Sequence, residues 1–280
     1  MPFLDLTNAK LHYDTFGNGP LLLCIPGADG RGAVFHDAAR HLSRSFTVVC
    51  YDRRGYSQSQ HIGAQDFKNR LSTDADDASA LIAHLSNEAV AVFGTSSGAI
   101  VATQLLIQHP NRVHTLIAHE PPAFALLPEQ SRAQAAGLIE HIYRLYREQG
   151  VQAAMEVFSS GLSAGEEGAE MRFCMDPTRG DEIRANSMYW FEFELRQYTS
   201  ALLDLEGIKA EKTKFVPAAG TTSGDGPGVG PITLLAHMLG KEVVRLPGGH
   251  ISYMLEPEVF ADALVALLES KIQEENMFAS

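Results

Sequence analysis

The stretch Ala89-Val90-Ala91-Val92-Phe93-Gly94-Thr95-Ser96-Ser97-Gly98 decides the fold. Its first six residues form a continuous apolar run, as a strand buried on both faces requires. Residues 97–109 then read as a helix that stops before Pro110. Between the two lies Gly-x-Ser-x-Gly, the pattern of a sharp turn from strand into helix. Such a turn lifts the hydroxyl of Ser96 clear of the sheet edge, where a carbonyl carbon can reach it. Side chains at 94 and 98 would collide with the neighbouring strand and helix. The free N–H groups at the helix start favour negative charge, and that of Ser97 is placed to face an oxyanion. Ser97 is the rival nucleophile, but Ser96 holds the central position.

Working outward, strands are expected at 3–7, 9–15, 21–26, 46–52, 113–119, 214–219 and 242–247. Helices are expected near 33–43, 72–86, 231–240 and 257–272. The helix over 72–86 sets Ala78, Leu81, Ile82 and Leu85 on one face. Alternating strands and helices imply a doubly wound α/β fold with a mostly parallel, eight-stranded sheet. Residues 121–208 break the alternation: no convincing strand occurs there, and helical segments are expected near 131–148, 151–159 and 181–205. This stretch reads as a helical cap inserted into a core made of 1–120 and 209–280.

A serine nucleophile needs a base on a loop after the last strand. Leu246-Pro247-Gly248-Gly249-His250 supplies one, its glycines letting the imidazole of His250 swing toward Ser96. A carboxylate must orient that ring. Glu120 follows the strand at 113–119, at the same sheet edge as Ser96. Asp225, in the loop after 214–219, is the alternative acid. It stands somewhat late, and Ser223 occupies the more usual place. A second oxyanion donor is expected from Ile25-Pro26-Gly27-Ala28-Asp29-Gly30, with the N–H of Ala28 as candidate. Asp29 in that loop and Tyr189 and Trp190 in the cap are expected to line the substrate pocket.

These segments resemble the α/β-hydrolase superfamily over nearly the whole chain. Tyr51-Asp52-Arg53-Arg54-Gly55-Tyr56-Ser57 is similar to that family's Asp-x-Arg-Gly-x-Gly-x-Ser turn, with Tyr56 where a glycine is common. Gly94-Thr95-Ser96-Ser97-Gly98-Ala99, His119-Glu120 with its proline, and Leu246 to His250 with Tyr253 beyond resemble the zearalenone-lactonase branch. That resemblance implies Glu120 as the acid and Ala28 as an oxyanion donor. The elbow reads Gly-Thr-Ser-Ser-Gly where the lactonases carry Gly-Cys-Ser-Ser-Gly, and their residues differ at Gly27-Ala28. The cap aligns poorly apart from a match at Trp190, so the resemblance carries the catalytic residues and not the substrate.

The remaining composition narrows the class. The 280-residue chain carries 22 basic and 34 acidic residues, a net charge of −12. That balance repels phosphate backbones and anionic lipid, so neither nucleic acid nor membrane is expected as a partner. Cys24, Cys50 and Cys174 form no CxxC pair, and the first two sit in apolar runs as buried free thiols. With no basic and apolar leader at the N-terminus, a reducing, cytoplasmic location is expected. A homodimer is compatible with the sequence. No cofactor or metal is called for. The expected reaction is serine-based cleavage of an ester or lactone of a small hydrophobic molecule. Cleavage of a carbon–carbon bond in a diketone, a thioesterase activity, or a ligand receptor with little turnover are the alternatives.

Overall fold

A computed structural model describes residues 2–162 and 165–279. Nine strands form one sheet: β1 (Phe3–Asp5), β2 (Ala9–Phe16), β3 (Leu21–Ile25), β4 (Thr47–Tyr51), β5 (Gln60–His61), β6 (Val90–Thr95), β7 (Val113–His119), β8 (Phe215–Gly220) and β9 (Val244–Leu246). Their order is β1-β2-β4-β3-β6-β7-β8-β9, with β5 pairing to β2 off this path. β1 and β2 run antiparallel to their neighbours, and the strands from β4 to β9 along that path are parallel. Eight of the strands are those expected from the sequence. The ninth, β5, has two residues and lies in a polar segment without an apolar run.

The central parallel strands β3, β4, β6, β7 and β8 are largely buried on both faces, and their pleat divides their apolar residues between two cores. Leu23 and Ile25 of β3, with Val92 of β6, face one core. Leu22, Cys24 and Phe93 face the other. α1 (His36–Leu42) covers the second face, while α2 (Arg70–Leu85) and α3 (Ser97–Gln108) cover the first. Cys24 and Cys50 are register partners on β3 and β4, both buried and free.

The segment between β7 and β8 is helical: α4 (Glu129–Gln149), α5 (Val151–Leu162), α6 (Glu166–Cys174), α7 (Asp181–Phe193), α8 (Leu195–Thr199) and α9 (Leu205–Ala210). A third apolar cluster, including Ile139, Ile142, Met155, Trp190, Phe191 and Leu195, packs α4, α5, α7 and α8 on one another. The single helix expected over 181–205 is two, α7 and α8, followed by the separate α9 from Leu205. Glu194 leaves helical geometry with φ −123° and ψ −50°, and it buries its carboxylate beneath the insertion. Asp204 caps α9 by accepting from the N–H groups of Glu206 and Gly207. Helix α6 has no counterpart in the sequence reading, since Glu-Glu-Gly-Ala-Glu carries no apolar stripe. Its Glu166 and Glu167 instead suit the positive end of the helix dipole. Ile208 of α9 belongs to the sheet core rather than to the insertion's own cluster.

The chain closes with α10 (Val229–Leu239), α11 (Ser252–Leu255) and α12 (Pro257–Ala279). Parallel register aligns the carboxyl ends of the central strands: Ile25 pairs with Gly94, Thr95 with His119, and His119 with Ala218. The loops that follow β3, β6, β7, β8 and β9 therefore open at one edge, where ligands bind in open α/β sheets. Among the described residues, no helix is long and apolar enough to cross a membrane.

Candidate active site

At the end of β6 the backbone turns sharply at Ser96, whose φ of 54° and ψ of −129° lie in a region that L residues rarely occupy. The surroundings hold that conformation. The N–H of Ser96 donates to the carbonyl of His119 at 2.9 Å, and the N–H of Ala99 donates to the carbonyl of Ser96 at 3.0 Å. Gly94 and Gly98 are required by close approach. A Cβ on Gly94 would lie 2.6 Å from the Gly98 oxygen and 2.7 Å from the Ala102 side chain. One on Gly98 would lie 2.5 Å from the Pro26 oxygen.

Glu120, directly after β7, has a positive φ of 49° and is 2% exposed. Its Oε1 accepts from the N–H of Gly220 at 2.7 Å. Its Oε2 accepts from Nδ1 of His250 at 2.6 Å. Burial opposes ionisation of Glu120, but the hydrogen bond and charge of His250 outweigh it and hold the carboxyl well below the usual range. His250, on the loop after β9, is 5% exposed. Burial alone would lower its pKa, yet the Glu120 hydrogen bond and charge, with the charge of Glu167, hold it above the ordinary value. Glu167 reaches over from α6 and accepts from the N–H of Ile251 at 3.0 Å. Neighbouring His119 is a different case: full burial takes its pKa down to about 4, so it is neutral and structural.

The loop after β3 is anchored from below. Arg53, wholly buried, donates through Nη2 to the carbonyl oxygen of Gly27 at 2.8 Å and to Glu194 at 2.7 Å. Its Nη1 donates to Asp74 at 2.9 Å. A trans peptide sets its C=O and N–H in opposite directions. Holding the Gly27 carbonyl toward Arg53 therefore turns the N–H of Ala28 the other way. Glu194 also accepts from the hydroxyl of Ser97 at 2.7 Å and from that of Tyr56. Counted from Asp52, the motif's second glycine falls at Ser57, whose φ is 46°, rather than at Tyr56 as expected from the sequence; Tyr56 ties the turn to the insertion.

Ser96, Ser97 and Ala28 open onto a cavity of about 260 Å³ roofed by insertion residues that include Ile139, Phe158 and Trp190. A smaller cavity of about 50 Å³ reaches Ser96, Ala28 and His250 from the other side.

A model of the alpha/beta hydrolase fold matches residues 20–163. Over 272 residues the chain is 33% identical to the uncharacterized hydrolase YraK of Bacillus subtilis (strain 168), across 96% of each protein. The chain belongs to the α/β-hydrolase fold family. This hydrolase is also 22% identical over 265 residues to the zearalenone hydrolase of Bionectria ochroleuca, covering 91% of this chain and 92% of that one. Its fold is shared with the enol-lactonase from Burkholderia xenovorans LB400, at a TM-score of 0.72 and 18% identity, over 96% of this chain and all of that one.

The residues singled out in the sequence are not all brought together in the hydrolase. Ser96, His250, Glu120, Ala28 and Ser97 meet at the sheet edge. Asp225 is exposed at the cavity rim, and the imidazole of His250 is engaged by Glu120 instead. Trp190 lines the larger cavity. Tyr189 does not. One residue earlier on α7, it turns about 100° away. There its hydroxyl bonds Nε2 of His61 at 2.9 Å and its ring lies 4.3 Å from the Arg70 guanidinium. Asp29 borders the smaller cavity, but both its oxygens are taken, by Arg31 and by Asn186, each at 3.0 Å. It fastens the loop to α7. Sequence reading overlooked Arg53 as an anchor, although it stands inside the quoted Asp-x-Arg-Gly turn. Glu194 and Glu167 carried no signal, because neither belongs to a motif or a periodic face.

Proposed function

We propose that the protein is a serine hydrolase that cleaves neutral, apolar carboxylic esters or lactones through an acyl-enzyme on Ser96. One observation carries this reading: a strained serine and a carboxylate-held imidazole flank one apolar cavity at the carboxyl edge of the sheet. His250, its Nδ1–H fixed by ionised Glu120, keeps Nε2 free to take the proton of Ser96 as the hydroxyl oxygen attacks the carbonyl carbon. The N–H groups of Ala28 and Ser97 receive the oxyanion. His250 then gives its proton to the departing alkoxide, and water repeats the sequence on the acyl-enzyme. The helices of 121–208 act as a cap that excludes water. The name of the zearalenone hydrolase, and the description of YraK as an uncharacterized hydrolase, support hydrolysis as the reaction class.

Both oxyanion donors depend on one buried ion pair. Arg53 holds the peptide that bears the Ala28 N–H, and Glu194 holds Ser97. Glu194→Gln keeps the size but removes the charge that Arg53, Ser97 and Tyr56 share. It is expected to lower kcat by about 10- to 100-fold, below the full loss of a donor, while KM changes less than threefold. Steady-state kinetics check this, and an equal rise in KM would show that Glu194 only shapes the pocket.

The reaction itself is tested with vinyl butyrate, a neutral ester with a small leaving group, followed by proton release. Multiple turnover is expected. Binding without turnover would make the protein a receptor and overturn the proposal.

A further inference from the structure

Two unequal cavities meet at Ser96, and their asymmetry bears on the substrate. Ser96, Ala28 and Phe158 line both. His250 lines the smaller and not the larger. The larger, at about 260 Å³, is thus about five times the volume of the smaller, at about 50 Å³. From the geometry we infer that the hydrolase takes neutral esters joining an apolar acyl group of medium length to a short alcohol. The acyl group occupies the larger cavity and the alkoxy group the smaller. This rests on the serine mechanism proposed above.

The assignment follows from where the proton must go. In the tetrahedral adduct the carbonyl carbon carries the Ser96 oxygen, the oxyanion, the acyl chain and the alkoxy group. Collapse breaks the bond from carbon to the alkoxy oxygen, and that oxygen takes the proton from Nε2 of His250. It leaves as the neutral alcohol, and water then releases the carboxylic acid. The alkoxy group must therefore lie on the imidazole side of Ser96, which is the smaller cavity. The acyl chain is left the side with Trp190 and Ile139.

Size and lining then define each half. Since one water-sized group needs about 10–15 Å³ of such space, the smaller cavity, at about 50 Å³, admits roughly three to five of them, an alkoxy group between ethoxy and butoxy. Its walls include Met171, Cys174, Met175 and Met254. Burial, with the charge of Glu170, pushes the Cys174 thiol up to about 12, so it stays neutral. These are apolar, polarisable surfaces suited to an alkyl group. Among the described residues, no Lys, Arg or His lines the larger cavity. Its buried carboxylate, Glu194, is already engaged by Arg53, Ser97 and Tyr56. An acyl chain bearing a carboxylate finds no counter-ion there, whereas an alkyl or aryl chain finds apolar walls. Phe158, common to both linings and in edge contact with Trp190 at 4.9 Å, stands at the partition.

Two ester series on the wild-type protein test the inference. With the methyl ester fixed, kcat/KM should climb from acetate through butanoate to hexanoate, by about fourfold per added methylene buried. With hexanoate fixed, it should fall at least tenfold from ethyl to hexyl, and likewise to benzyl. Phe158→Ala opens the partition and should narrow the ethyl-to-hexyl gap at least fivefold. Wild-type preference for hexyl or benzyl hexanoate, indifference to alcohol size, or faster cleavage of a macrocyclic lactone, whose acyl and alkoxy parts cannot be parted between the cavities, would overturn the assignment. Ser96-dependent turnover in those cases would leave the serine mechanism standing. No turnover of any ester would remove both.

Discussion

Glu120→Gln is expected to lower kcat by about 10⁴-fold, the scale seen when an amide replaces a triad carboxylate. The reason lies in which ring nitrogen holds the proton. Ionised Glu120 accepts from Nδ1 of His250, which leaves Nε2 unprotonated and able to take the Ser96 proton. A glutamine amide facing that nitrogen donates instead, so the proton moves to Nε2 and the base is lost. The pH profile changes with it. In the wild type, His250 must be neutral to act, and its pKa is held above 6.5. The acid limb of kcat/KM should therefore inflect above that value. In Glu120→Gln the upward pull of the carboxylate disappears while burial still lowers the pKa, so the residual activity should inflect at lower pH. Asp225→Asn, assayed alongside, should cost less than tenfold with the inflection unmoved, because Asp225 stands at the rim. A larger loss from Asp225→Asn than from Glu120→Gln would reverse the assignment of the acid.

Ser96→Ala should lower kcat on the order of 10⁶-fold, as removal of a serine nucleophile does where the rest of the site survives. Ser97→Ala provides the contrast. It deletes a hydroxyl bound to Glu194 but keeps the backbone N–H at position 97, so a loss of about tenfold, well short of a missing donor, is expected. The pair of variants separates the two adjacent hydroxyls, which the motif alone distinguishes only by position. Similar losses in both would mean that the turn is not aimed as its backbone angles indicate.

The core of the fold was legible because its strands are buried on both faces. Leu21–Ile25 is apolar throughout, Thr47–Tyr51 is apolar after its threonine, and Leu116-Ile117-Ala118 form an apolar run within Val113–His119, and few other structures accept such short runs. The elbow was legible because its glycines are forced by close approach. Glu120 and His250 were found by their places at strand ends, since parallel register brings those ends to one edge whatever their separation in sequence. The insertion was harder. Helices α4 and α5 announced themselves, but α6 has no apolar stripe, and the helix break at Glu194 is set by a carboxylate bound to Arg53, 141 positions away. Local pattern holds no trace of such a contact. For the same reason the aromatic run Tyr189-Trp190-Phe191 could be placed on a helix without showing which ring meets the cavity. The helical rotation sends Trp190 inward and Tyr189 toward His61 and Arg70. Asp29 does border the smaller cavity, where its place in the loop after β3 puts it, but the sequence held no sign that Arg31 and Asn186 would take both its oxygens and make it a fastening as well.

The most direct test of the covalent mechanism is to react the protein with an alkyl fluorophosphonate and locate the label by peptide mass spectrometry. One phosphonyl group per chain, on the hydroxyl at position 96, is the predicted result, with labelling slowed at least a thousandfold in His250→Ala. A label at Ser97, or none under conditions where the folded protein binds an apolar ester, would contradict it.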